Sequence, residues 1–401
     1  MNYKWGMKDL QADCKQLKEM IKNEQDGVKK FKLQECLDLL RYYIYINKED
    51  VNNEHHSTKS AFLETMRCCV HSRRYYNLVA NFYSDAHKYN ASMQEISDEL
   101  TELLDKNNDF AFLTGSKLSN RRALYLTDAF YKKFDQELYT FYQDAIRLRK
   151  NNLKFVQHEK AKNLATEKDG YTFFVDGLAK VYVSVDKNRT YKKLIDLIHE
   201  YGHVIAFLAN PEYQCSNEIY FNELPSLFPE LVALFNEDSP IDEPQRNFWL
   251  FLSLFTYYQH AGFLSLQPKM FKTFKSNDLK YNLKLLLKLF REYNIDYSKL
   301  KDCLTFSIFE NGNYVASFEA ALELIYIYYY ENDKEKALQK FKTILLKSSG
   351  ENEFNYIGNE IELGKHTTFM VGEIISKMKK SLDTMKNDEN FSKSLHKRLK
   401  K

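Results

Sequence analysis

Two histidines four residues apart, with a glutamate directly after the first, make His199-Glu200-Tyr201-Gly202-His203 the stretch best suited to chemistry. At 3.6 residues per turn, positions i and i+4 lie only about 40° apart around a helix, so both imidazoles can face one ion. Glu200 is rotated by about 100° and reaches a water at the ion rather than the ion itself. The matching chemistry is metal-assisted hydrolysis, in which imidazoles hold a zinc ion and a carboxylate takes a proton from water. A catalytic zinc needs a third protein ligand and one open position. Glu223, 20 residues after His203 in the run FNELPSLFPELVALF, is the candidate. One Zn2+ per chain is therefore expected on His199, His203 and Glu223, with Glu200 as general base. Glu230 follows seven residues after Glu223. In a helix it shares that face and can hydrogen-bond a ligating histidine, although Pro229 is a candidate kink. The competing reading leaves His199 and His203 as core or surface histidines and Glu223 as a helix-capping carboxylate.

Such a site needs a rigid, partly dry mounting. Leu194, Leu197, Ile198, Val204, Ile205 and Leu208 give the histidine helix an apolar face, with Thr190 as its cap and Asn210-Pro211 ending it after Ala209. Gly202 costs up to about 1 kcal/mol of helix propensity, which close approach of a neighbouring helix or substrate would explain. The 20 residues to Glu223 suffice to end this helix, turn, and start a second one over Leu224–Phe235. Upstream, residues 171–185 (YTFFVDGLAKVYVSV) combine β-branched and aromatic residues around Asp176-Gly177, the pattern of a hairpin or small sheet. From the start to about Asn152 helical patterns alternate with polar breaks, Asn52-Asn53-Glu54 and Lys106-Asn107-Asn108-Asp109, as in an antiparallel helical lobe. Leu33, Leu37, Leu40 and Ile44, and later Leu126, Phe130, Phe134, Leu138 and Phe141, step by three and four residues. Further helices are expected around 248–258, 279–293 and 318–330, and no repeat of solenoid length is present.

Composition agrees with a mainly α fold. The 401 residues include only 12 Gly and 6 Pro, so long helices meet few interior breakers. Hydrophobic residues at 44% and charged residues at 28% are globular proportions. The 58 basic and 55 acidic side chains leave a net charge of +3, too even a balance to imply nucleic acid as a partner. The charged amino terminus carries no signal-peptide pattern and no apolar run is long enough to span a membrane, so a cytoplasmic location without membrane association is expected. The six cysteines, Cys14, Cys36, Cys68, Cys69, Cys215 and Cys303, form no C-x-x-C spacing and read as buried thiols. His55-His56 read as a solvated loop, His260 as a core or cleft histidine, and the Lys-rich carboxyl end as a solvated helix end. The run Tyr326, Tyr328, Tyr329, Tyr330 reads as helix packing rather than a substrate platform.

Three segments resemble the thimet oligopeptidase and oligoendopeptidase F family of zinc peptidases. They are KVYVSVDKNRTYKKLIDLIHEYGH, the E-x-P-S-x-x-x-E run from Glu223 to Glu230, and residues 314–322 (YVASFEAAL) with the later KALQKFKTILLKSSG. The resemblance is specific over about 171–350. It implies a two-lobed helical metallopeptidase, with a small β-sheet beside the active-site helix and a deep substrate cleft. The division would be an N-terminal helical lobe over 1–165 and a catalytic zinc-binding domain over 166–401. His199, His203 and Glu223 become the zinc ligands, Glu200 the base, and Tyr314 a stabiliser of the transition state. Residues 181–185 would bind peptide backbone by edge pairing. The implied activity is hydrolysis of short oligopeptides. Two departures stand out: Thr305 to Asn313 lacks the histidine that the family carries before its tyrosine segment, and the chain is short for the family, with a reduced amino-terminal lobe expected. The first motivates a second reading, a peptide-binding or scaffold protein that keeps the metal site with weakened catalysis. Oligomeric state is not legible in the sequence.

Overall fold

The computed structural model describes residues 7–25, 73–107, 118–156, 170–175, 180–186, 191–210, 221–273, 279–293, 295–299, 308–347 and 360–387, with positions 30, 33, 303 and 357. The chain opens with helices α1 (Met7–Asn23), α2 (Arg73–His87), α3 (Asn90–Asn107), α4 (Asn120–Phe134) and α5 (Gln136–Asn152). Periodic apolar residues define their inner faces: α2 buries Tyr75, Leu78, Val79, Phe82 and Ala86. Between α4 and α5 only Asp135 leaves the helical conformation. Its backbone is extended, and its Oδ1 accepts the N–H groups of Glu137 and Leu138, capping α5. The apolar run Leu126 to Phe141 therefore turns a corner instead of following one helix.

A three-stranded sheet follows, formed by β1 (Leu153–Val156), β2 (Gly170–Val175) and β3 (Lys180–Asp186) in the order β1-β3-β2. β2 runs antiparallel to β3, with Gly170 opposite Val185 and Val175 opposite Lys180. β1 runs parallel to β3, with Leu153 opposite Val183 and Val156 opposite Asp186. Residues 181–185, expected to offer a free edge, thus form the middle strand. From Val183 onward β3 is flanked on both sides, and among the described residues β2 is the outer strand on the side away from β1. The cause is β1, four residues directly after α5, too short for its periodicity to distinguish it from a helix end.

The remaining elements among the described residues are α6 (Lys192–Ala209), α7 (Leu224–Phe235), α8 (Glu243–Thr273), α9 (Leu279–Glu292), a 3-10 turn over Tyr297–Lys299, α10 (Ile308–Ile325) with a π-helical extension over Tyr326–Tyr330, α11 (Lys334–Lys347) and α12 (Thr367–Asn387). α8 is 31 residues long, far beyond the expected 248–258, and α10 begins before Tyr314, which places that tyrosine on a helix. Tyr191 occupies the N-cap of α6 without a side-chain capping bond.

Every residue of α7 is buried, the signature of a helix at the centre of a core. It packs against α6 and α10, and its Phe228 ring lies 4.8 Å from Phe341 of α11 and 5.7 Å from Phe134 of α4. One hydrophobic core runs from Tyr75 to Met385. The tyrosine run joins this packing: the Tyr329 hydroxyl donates to the Val232 carbonyl, Tyr330 to Glu373, and Tyr326 stacks on His366 at 3.6 Å. Cys14 and Cys303 are buried thiols. Leu37, Leu40, Ile44, His55, His56, the other four cysteines, the Asp176-Gly177 turn, Thr190, the basic carboxyl end and the 165/166 boundary lie outside the described residues. Among the described residues no helix is long and apolar enough to cross a membrane.

Candidate metal centre

Helices α6 and α7 touch where Gly202 meets the first turn of α7. A methyl group built at Gly202 would collide with the Pro225 carbonyl oxygen and lie 2.7 Å from the Ser226 Cα. Only hydrogen fits there. Pro229 contributes from the other side, because it lacks the N–H that would normally occupy the Pro225 carbonyl within the helix. The neighbouring helix, rather than substrate, therefore accounts for this glycine.

This contact brings three ligand-type atoms together. Glu223 Oε2 stands 3.4 Å from His199 Nε2 and 3.2 Å from His203 Nε2, and one ligand atom from each of the three residues lies within 4.8 Å of the others. Ligands about 2.0–2.1 Å from a tetrahedral zinc stand about 3.3 Å from one another, so this donor set and its spacing fit the ion. His199 Nδ1 is 2.7 Å from Glu230 Oε2, which turns Nε2 toward Glu223. Glu223 is the N-cap residue of α7, yet its carboxylate makes no capping bond. Its backbone N–H donates to Ser317 Oγ of α10, and Ser226 Oγ donates to its Oε2 at 3.2 Å.

The electrostatics follow from burial and crowding. Burial alone would depress the His199 imidazolium, but hydrogen bonds to Glu223 and Glu230 reverse this and hold its pKa well above the ordinary histidine value. Burial would raise Glu223, but the two imidazoles outweigh it and hold the carboxyl well below the usual range. Glu200, only 4% exposed, is pushed up, chiefly by burial, against the pull of His199, His203 and Thr172.

Glu200 follows His199 on α6 with its carboxylate held outside the ligand set: Thr172 Oγ1 of β2 donates to Glu200 Oε2 at 2.5 Å. Tyr314 faces Glu223, whose charge is the main cause of its strongly raised pKa. Tyr257 of α8 stacks against Tyr314, ring centres 6.1 Å apart at 17°, and packs on Phe318 at 4.8 Å. Its phenol is raised by burial and by the charges of Glu230 and Glu223. The expected site residues His199, Glu200, His203, Glu223 and Tyr314 are thus all in one place. Sequence reasoning did not single out Thr172, Tyr257, Ser226 or Ser317. Ser226 and Ser317 lie inside motifs quoted for other residues, whereas Tyr257 is one aromatic among many on α8. His260 lies beside Tyr257 at 6.2 Å, and burial lowers its pKa to about 4, as suits an interior histidine.

The architecture defines a mainly α chain in which a paired-histidine helix is clasped between a small sheet and a buried helix bearing two carboxylates. Solved peptidase structures share this fold. One described as an oligoendopeptidase F aligns with a TM-score of 0.53 at 12% identity, over 90% of this chain and 69% of that one. A peptidase from Chlamydophila abortus aligns with a TM-score of 0.54 at 13% identity, over 92% of this chain and 63% of that one. A structure of PZ peptidase A with inhibitor 2 aligns with a TM-score of 0.49 at 14% identity, over 76% and 58%. This chain thus spans between 58% and 69% of the lengths of these structures. The fold is shared with the structure described as an oligoendopeptidase F and with the Chlamydophila abortus structure. No family model matches the sequence, and no curated protein does.

Proposed function

We propose that the chain is a zinc metallopeptidase of the oligoendopeptidase F family that hydrolyses short, unstructured oligopeptides. The observation that carries this reading is the convergence of His199 Nε2, His203 Nε2 and Glu223 Oε2, with Glu200 beside them and outside the ligand set. His199, His203 and Glu223 would hold the ion, and Glu230 would fix the His199 ring. A bound zinc supplies a Lewis acid that polarises the scissile carbonyl and makes water more acidic.

The chain's own residues do the rest. Glu200 takes the proton of the attacking water and passes it to the leaving amine. Tyr314 donates a hydrogen bond to the developing oxyanion, worth roughly 3 kcal/mol in comparable sites. Peptide backbone pairs with β2, among the described residues the outer strand on the side away from β1, in the place first assigned to 181–185. The peptide lies in a cleft between an N-terminal helical lobe over 1–165 and the catalytic part over 166–401.

Cleavage of internally quenched oligopeptides, with and without a chelator, tests the proposal. Chelator-sensitive cleavage is expected, and Glu200→Gln should retain zinc while losing turnover. Peptide binding without cleavage would replace the enzyme with the scaffold reading, and turnover persisting in Glu200→Gln would remove the assigned base.

A further inference from the structure

Glu200 is almost entirely buried, yet one of its oxygens is already engaged. Thr172 Oγ1 lies 2.5 Å from Glu200 Oε2, the separation of a hydroxyl donating to an ionised carboxylate. The same hydroxyl is 3.4 Å from the backbone carbonyl oxygen of Glu200. With one hydrogen to give, the Thr172 hydroxyl makes its bond to the Glu200 carboxylate and lies beside the carbonyl of the same residue. Its own position is set by pairing opposite the buried Val183 of β3, and β2 and β3 both pack on α6. Strand and helix are thereby tied at the residue that follows the first histidine.

A carboxylate in this position has two oxygens but transfers one proton. Left to rotate, it would present either oxygen, or swing toward the imidazoles whose fields act on it. We infer that Thr172 is a positioning residue for Glu200, holding Oε2 so that Oε1 faces the attacking water, an inference that rests on the peptidase reading above. The peptide-pairing strand and the base are then mechanically linked, because Thr172 lies in the middle of β2.

The test compares wild type, Thr172→Val, Thr172→Ser and Glu200→Gln in the full chain, measuring zinc content, KM and kcat on one quenched peptide. Thr172→Val removes the donor at constant shape. It should keep stoichiometric zinc and a KM within about twofold while kcat falls about ten- to a hundredfold, a share of what a well-placed general base contributes. Thr172→Ser, which restores the hydroxyl, should recover most of kcat. Should Thr172→Val fail to melt cooperatively, Thr172→Ala takes its place with the same expectation. Wild-type kcat in the donorless variants, or an equal loss in Thr172→Ser, overturns the inference while Glu200→Gln remains inactive. Turnover surviving in Glu200→Gln, or its absence from wild type, sinks the peptidase reading instead.

Discussion

His199 Nδ1 stands 2.7 Å from a carboxylate oxygen of Glu230, 31 positions further along the chain and on the neighbouring helix. The bond fixes the ring and turns Nε2 toward Glu223 and His203. Glu230→Ala should weaken zinc affinity about ten- to a hundredfold with the fold intact. Competition against a chromogenic chelator measures this, and unchanged affinity would relieve Glu230 of the role.

Gly202 is the contact point between α6 and α7. Gly202→Ala must push apart two backbones rather than a flexible side chain, because the obstructing atoms are the Pro225 carbonyl and the Ser226 Cα. The expected cost is about 1–3 kcal/mol, seen as a lower denaturant midpoint, accompanied by weaker zinc binding. Wild-type stability in the variant would show that the helices separate freely.

Tyr314 and Tyr257 present two stacked phenols next to Glu223. Tyr314→Phe keeps the ring and removes the donor. It should lower kcat about 10²- to 10³-fold with zinc content unchanged. A full kcat in this variant would assign oxyanion stabilisation elsewhere.

Away from the candidate metal centre, Glu319 is fully buried on α10 and accepts a hydrogen bond from Thr367 Oγ1 at 3.1 Å. Burial first, then the nearby charges of Glu323 and Asp85, hold its pKa well above the ordinary carboxylate value. With the folded pKa above the unfolded one, the unfolded chain releases this proton first as pH rises, so the group's contribution to stability is lost on going up in pH. Glu319→Gln removes that slope. Its stability relative to wild type should therefore climb by up to about 1.4 kcal/mol per pH unit above about 4.5, measured by urea unfolding at several pH values. A constant difference would show that Glu319 ionises normally.

What could be read from the sequence was what is local in the chain. The α6 pattern, the spacing of His199 and His203, and the seven-residue step from Glu223 to Glu230 all follow from 3.6 residues per turn. The contacts that complete the site depend on packing between distant segments. Thr172 reaches Glu200 across 28 positions from a strand, Ser317 reaches the Glu223 backbone across 94, and neither leaves a periodic trace. β1 went unread because four residues are too few to show alternation. The corner at Asp135 went unread because a single extended residue does not interrupt the apolar spacing.

The absent side chain at Gly202 sets a gauge. Since not even a methyl group fits between the two backbones at this point, the helix that carries the imidazoles and the one that begins at the carboxylate approach more closely than any other residue at 202 would allow. Any residue larger than glycine at 202 would have to wedge apart a helix in which every residue is buried.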